Sequence, residues 1–200
     1  MASNRDEHGF ALVGVIVVMA LLAALGAALV MATTTEVAIA ANYREATETL
    51  YAAEAGVAFV MQEVAAIEDW ADVALTSGES AFVDGPVDGV RTVGATTLDL
   101  AAATSDLNTT VPAGPAADPP WVLHAFGRFR DLVPSAAGRP DAYLVVWVAN
   151  HSSSTDESMR GALSIFAHAY GPRGSRRAVE VVVDKVETTS LHRRSWREWP

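Results

Sequence analysis

The most constraining feature of this 200-residue chain is an uncharged run from Phe10 to Ala32, FALVGVIVVMALLAALGAALVMA. Its twenty-three residues lie between Arg5-Asp6-Glu7-His8-Gly9 and Thr33-Thr34-Thr35-Glu36. As a helix rising about 1.5 Å per residue the run reaches roughly 34 Å, enough to cross a hydrocarbon core about 30 Å thick. A spanning helix is therefore the expected first element. Half of the chain is apolar, and mean hydropathy is +0.21, a high value that this one segment largely carries.

Three readings of the run compete. A secretory signal would be cut near Val30-Met31-Ala32, but the run exceeds the roughly 7–15 residues of such a core and what precedes it is not net basic. A plain signal anchor is the second reading. Lysine and arginine bias sets a cytoplasmic N-terminus, since Arg5 precedes the span and the first basic residue after it is Arg44. The third reading rests on Gly9, discussed below.

Between Glu36 and Trp70 there is no proline. Tyr43, Ala46, Leu50, Ala53, Val57, Val60, Val64 and Ile67 recur at spacings of three and four, an apolar stripe on one helical face. Arg44, Glu45, Glu48, Glu63 and Glu68 fall off it, as on a solvated face, with Glu54 at its edge. Joined to the span, this predicts one rod from Phe10 to about Glu68, roughly 90 Å long.

The rest reads as a small α+β head. Thr76-Ser77-Gly78, Asp84-Gly85-Pro86 and Asp88-Gly89 are turn signals. Ser80–Val83 and Val90–Val93 read as short strands, and Thr97–Leu107 as a helix capped at Thr96 or Thr97. Val111–Pro120 is a connector. Ala142–Ala149, AYLVVWVA, is apolar on both faces, as for a strand covered on each side. Arg160–Tyr170 and Arg176–Val186 follow, the latter with Val179, Val181 and Val183 on one face and Glu180 and Asp184 on the other. Short polar turns make these three an antiparallel meander, whose apolar face is the natural partner of the helical stripe.

Composition narrows the chemistry. Fourteen basic against twenty-four acidic side chains give a net charge of −10, without the clustered basic surface that nucleic acid requires. The absence of cysteine removes disulfides, thiolate nucleophiles and thiolate-bound metals. His8, His124, His151, His168 and His192 show no ligand spacing, and His168 reads as a half-exposed strand residue. Asn150, Ser152–Ser154 and Asp156-Glu157 offer oxygen ligands for calcium, with a solvated hairpin tip preferred. No phosphate loop, nucleophile elbow or paired-histidine metal helix is present. We expect no catalytic residue, no enzymatic activity, no metal and no cofactor. The tail from Leu191 to Pro200 carries Arg193, Arg194, Arg197, Trp196 and Trp199. It either docks on an acidic neighbour or lipid headgroups, or frays beyond the last strand, the preferred reading.

The junction Arg5-Asp6-Glu7-His8-Gly9 before Phe10 resembles that of type IV prepilins, which a membrane peptidase cuts after glycine on the cytoplasmic side. Thr33–Glu36, Ala41-Asn42-Tyr43-Arg44-Glu45-Ala46, Tyr51-Ala52-Ala53-Glu54-Ala55-Gly56 and, in the head, Ala169–Glu180 look like the corresponding segments of PilX-type minor pilins. The resemblance implies a leader at 1–9, a transmembrane helix at 10–32, its extramembrane continuation at 33–70, a head at 71–190 and a basic tail at 191–200. It implies cleavage between Gly9 and Phe10 by prepilin peptidase, and an N-methylated amine on Phe10. Most major pilins carry glutamate as fifth mature residue, where it neutralises a neighbour's terminal amine; Gly14 stands there, which points to a minor subunit.

On this resemblance Gly14, Ala20, Ala24 and Gly26 let helices approach in a filament core. The implied fold is pilin-like, a long N-terminal helix on a small antiparallel sheet. The implied role is assembly at the tip or initiation of a type IV pilus, with adhesion as a further one. The implied partners are other minor and major pilins, prepilin peptidase, the inner membrane and a tip adhesin, and not nucleic acid. Before assembly the chain would cross the inner membrane once, head in the periplasm; afterwards it would be extracellular. The chain is also similar, less closely, to minor pseudopilins of type II secretion. A bitopic envelope protein with a periplasmic binding domain is the alternative from another class.

Overall fold

The computed structural model describes residues 4–67, 70, 80–113, 120–133, 141–151, 159–187 and 190–199. The expected turn at Thr76–Gly78, most of the connector up to Pro120 and the oxygen-rich segment Ser152–Ser158 lie outside them. The chain divides into two compact units, Met1–Arg44 and Glu45–Pro200.

Helix α1 (Asn4–Ala65) contributes to both units. It contains no proline, and its last turn tightens as Ala66 N donates to Glu63 O and Ile67 N to Val64 O. In the first unit every large apolar side chain from Phe10 to Ile39 is exposed.

In the second unit five antiparallel strands form one sheet in the order β3-β4-β5-β6-β7. β3 is Val122–Arg128, β4 Tyr143–Asn150, β5 Ala162–Tyr170, β6 Arg176–Glu187 and β7 Ser190–Trp199. A separate hairpin pairs β1 (Val90–Val93) with β2 (Thr96–Asp99), and α2 (Leu100–Thr110) follows it directly. A single turn, α3 (Phe129–Leu132), ends β3.

The period of two divides the sheet into two packed faces. Leu144, Val146, Val148, Ile165, Ala167, Val179, Val181 and Val183 meet Ala52, Ala53, Val57, Val60 and Val64 of α1. Tyr143, Val145, Trp147, Phe166 and Ala178 join a second core with Leu100, Leu107 and Trp121. All eight residues of β4 are buried, because it lies inside the sheet with both faces covered. The α+β architecture is the one the sequence led us to expect, with the valines of β6 facing α1.

The details differ in four places. The sheet has five strands, not three. β3, with His124 and Gly127 among its apolar residues, offers no clean alternation, and its outer edge is covered by the segment around Val83, which forms one parallel bridge to Phe126. Ser80–Val83 is thus an edge cover and not a strand. The tail is not frayed: Ala178 to Glu187 of β6 pair with Ser190 to Trp199 of β7. The second helix starts at Leu100, since Thr96 and Thr97 are held in the hairpin and the Asp99 carboxylate caps the helix by accepting Ala102 N at 3.0 Å.

The apolar stripe also begins later than Tyr43, which is 76 % exposed. The buried face consists of Thr49, Ala52, Ala53, Gly56, Val57, Val60 and Val64. At Gly56 a Cβ would lie 3.3 Å from Val146 Cγ2 and 3.6 Å from Leu144 Cδ1, so the missing side chain sets how closely helix and sheet approach.

Candidate functional site

The sequence points to the first unit as the functional surface. Phe10 is 83 % exposed, and the helix it belongs to is apolar enough and long enough to cross a membrane. Gly9 lies inside α1, which starts at Asn4, so the Gly9–Phe10 junction is helical and not an extended lead-in. Glycine is the weakest helix former among its neighbours, and the junction is where the turn unwinds most easily.

A Cβ added at Gly14 or Gly26 would meet nothing within 4 Å. Nothing inside the unit requires glycine at either position. Helical geometry turns about 100° per residue, so the four expected packing residues do not share one seam. Ala20 and Ala24 stand one above the other, whereas Gly14 and Gly26 are about 120° apart. Three further alanines, Ala23, Ala27 and Ala28, complete a stripe with Ala20 and Ala24 at i, i+3, i+4, i+7 and i+8. Val18, Leu22, Leu25 and Leu29 share the opposite face. The helix thus has a shallow groove of alanines on one face and a ridge of larger side chains on the other. That spacing was readable in the sequence.

The threonine run closes the apolar segment without unpaired hydroxyls. Thr33 Oγ1 donates to Leu29 O at 3.1 Å and Val30 O at 3.0 Å, and Thr34 and Thr35 each donate to Met31 O at 2.9 Å. Folding these hydroxyls back onto the helix removes most of the cost of setting them beside hydrocarbon.

In the second unit two glutamates read as solvated are anchors instead. Glu45 Oε1 accepts Arg173 N at 2.9 Å and Ser175 Oγ at 3.2 Å, and Thr49 Oγ1 lies 2.7 Å from Ser175 Oγ. The β5–β6 turn is thereby tied to α1. Glu63 accepts Ser80 Oγ at 2.7 Å and Ala81 N at 2.9 Å, with the buried His124 Nε2 3.4 Å away, longer than a well-formed hydrogen bond. Burial pushes the Glu63 carboxyl up, but His124, Ser80 and Ala81 outweigh it and hold it below the ordinary value. Helical periodicity finds the face a side chain occupies; it does not reveal a polar loop folding over that face.

His168 is half-buried on β5 with its ring stacked on Tyr170 at 4.2 Å, and burial followed by the Arg176 charge pushes it down to about 4. His151 is buried, its Nε2 2.9 Å from Ser164 Oγ. Among the described residues no group of three or more histidines and carboxylates is placed to hold a metal.

Residues 8–58 match the family model of the PilX N-terminal region, a span that runs from the junction at Gly9 to the first half of the helix packed on the sheet. No curated protein and no solved structure gives a match.

Proposed function

We propose that this chain, whose residues 8–58 match the N-terminal region of the PilX-type pilins, is a pilin related to those of type IV pili and a minor subunit taking part in pilus assembly at the tip or at initiation. The observation that carries this reading is the pairing of an exposed, uncharged helix with Gly14 at the fifth position after Gly9. Cleavage between Gly9 and Phe10 by prepilin peptidase leaves a cationic amine on Phe10, which is then N-methylated. Without a carboxylate at Gly14 the chain cannot neutralise the same amine on a neighbouring copy. A filament of this chain alone would bury uncompensated charge, whereas one place among glutamate-bearing pilins would not.

The helix supports the same reading. Its alanine groove and leucine ridge lie on opposite faces, so each subunit presents a different surface to the neighbour on either side. Such heterologous contacts build open helical assemblies and not closed pairs. In the lipid, close approach at small residues supplies the packing that hydrophobicity cannot. The chain acts by assembly and not by catalysis: its partners are other minor and major pilins, the peptidase, the inner membrane and a tip adhesin, with adhesion a further role of the head.

The test is to shear filaments from cells and probe them for this chain. We expect it at low stoichiometry in the filament fraction, with piliation lost or reduced when the gene is deleted. Loss of protein secretion with pili intact would place it instead in a type II secretion pseudopilus, and a chain that never leaves the membrane fraction would contradict both.

A further inference from the structure

On the sheet face away from α1, helix α2 leaves a cleft of about 200 Å³ beside the ends of β5, β6 and β7. Its walls are the rings of Trp147, Phe166, Tyr170 and Trp199. The two indoles are held in place: Trp147 Nε1 donates to Thr104 Oγ1 at 2.8 Å, and Trp199 Nε1 to Glu180 Oε2 at 2.8 Å. The two indole N–H groups are therefore already used, and what they leave to the cleft is fixed aromatic surface. Fixed surface costs little entropy when a ligand settles on it.

The polar groups in the cleft are in the opposite condition. Among the described residues neither ring nitrogen of His168 nor the Tyr170 hydroxyl has a hydrogen-bond partner, and none of these atoms is sealed from solvent. Asp106 and Arg176 also line the cleft, one carboxylate and one guanidinium, the latter 5.7 Å above the Tyr170 ring. The His168 imidazole is neutral near pH 7, so it offers one donor and one acceptor. The Asp106 and Arg176 side chains are both exposed to solvent.

These features define a ligand. A cation would face Arg176 and an anion Asp106, so a neutral molecule is favoured. A cavity of about 150 Å³ takes a benzene ring, so this one takes a single six-membered ring and its substituents. A purely aromatic ring would stack on the walls but leave His168, Tyr170 and Asp106 without partners, at a desolvation cost. A saturated ring that presents C–H groups to the aromatic faces and hydroxyls around its rim satisfies both sets. We propose that this cleft binds one neutral hexopyranose ring, either free or as the exposed terminal residue of a polysaccharide. The proposal stands apart from the pilus reading, since it uses only residues of the head.

The test uses the full chain in a zwitterionic detergent, because glycosidic detergents carry the ligand chemistry themselves. Methyl glycosides of glucose, galactose, mannose and N-acetylglucosamine are titrated by tryptophan fluorescence and saturation-transfer NMR, with dextran, mannan and galactan beads as the polysaccharide arm. Indole and p-cresol serve as aromatic controls. We expect at least one glycoside to bind saturably at roughly millimolar concentration. Retention on the matching beads as well would identify a polysaccharide terminus, and binding of the glycoside alone a free sugar. Ala103→Phe, which fills the cleft, and His168→Phe, which keeps the ring but removes the hydrogen bonds, should each weaken binding at least tenfold without altering the melting profile above pH 7, where His168 is neutral in both the folded and unfolded chain. If His168→Phe melts early, Ala103→Phe decides. The proposal is overturned if no glycoside binds, if binding survives in Ala103→Phe, or if only indole or p-cresol binds, which would make the cleft a socket for a protein side chain.

Discussion

The Glu180 carboxylate accepts Nε1 of Trp199 at 2.8 Å and the Arg197 guanidinium at 2.6 Å through the same oxygen. This buried acid on β6 ties the end of β7 to the sheet. Arg197 faces Glu180 across the ladder, Trp199 is opposite Ala178 two residues along, and the Arg197 guanidinium lies 4.2 Å over the Trp199 ring. Glu180→Ala should destabilise the head by about 1.5–3 kcal/mol, the range for hydrogen bonds to a charged group. Urea unfolding of the full chain in detergent measures it. Unchanged stability would mean that the Glu180 contacts do not anchor β7.

The helix-to-sheet contact makes the second prediction. Gly56→Leu forces a side chain against Val146 and Leu144, and should cost about 1–3 kcal/mol by overpacking. Val60→Ala, at a fully buried position, should cost about 2 kcal/mol by leaving a cavity. Ala58→Leu, two residues from each and on the exposed side of the helix, should cost under about 0.5 kcal/mol, which makes it the control.

Acid should loosen the head in two stages. His168 titrates at about 4 in the folded chain against 6.5 in the unfolded one, so the unfolded state takes up a proton first and stability falls as pH drops from 6.5 towards 4. Glu63 is held below 4.5, so its contribution is present above that value and is lost as pH falls through its lower folded value. His168→Phe should flatten the upper part of a stability-against-pH curve and Glu63→Gln the lower part. A curve unchanged by either substitution would refute the assignment.

How much of this was legible in the sequence varies by element for physical reasons. Phe10–Ala32 was legible because no charge interrupts it, and β4, β5 and β6 because their valines and aromatics have strand length and strand period. β7 was not, since in SLHRRSWREW the stabilising partners are long-range: Glu180 and Asp184 on the neighbouring strand. The expected start of α2 at Thr96 or Thr97 rested on residue type alone, and only the pairing of those two threonines with β1 leaves the capping role to Asp99. The alternation Phe166, His168, Tyr170 was visible as one strand face, but not that α2 would roof it into a cleft. At the N-terminal surface the small residues were found singly; the continuous stripe through Ala23, Ala27 and Ala28 was present in the spacing and passed over.

That stripe carries its own prediction. Ala24→Phe raises a bulky ring where the groove is shallow, and should cut recovery of the chain in sheared filaments several-fold while leaving its amount in the membrane unchanged. Leu22→Phe, on the ridge, should be milder. Equal filament recovery for Ala24→Phe and the unaltered chain would show that the alanine face is not a packing surface.

The most direct test of the pilin reading is the N-terminus of the chain isolated from cells, read by Edman degradation and mass spectrometry. The expected first residue is Phe10, methylated on its amine, with residues 1–9 gone. A mature chain that begins at Met1, or at Thr33, would contradict it.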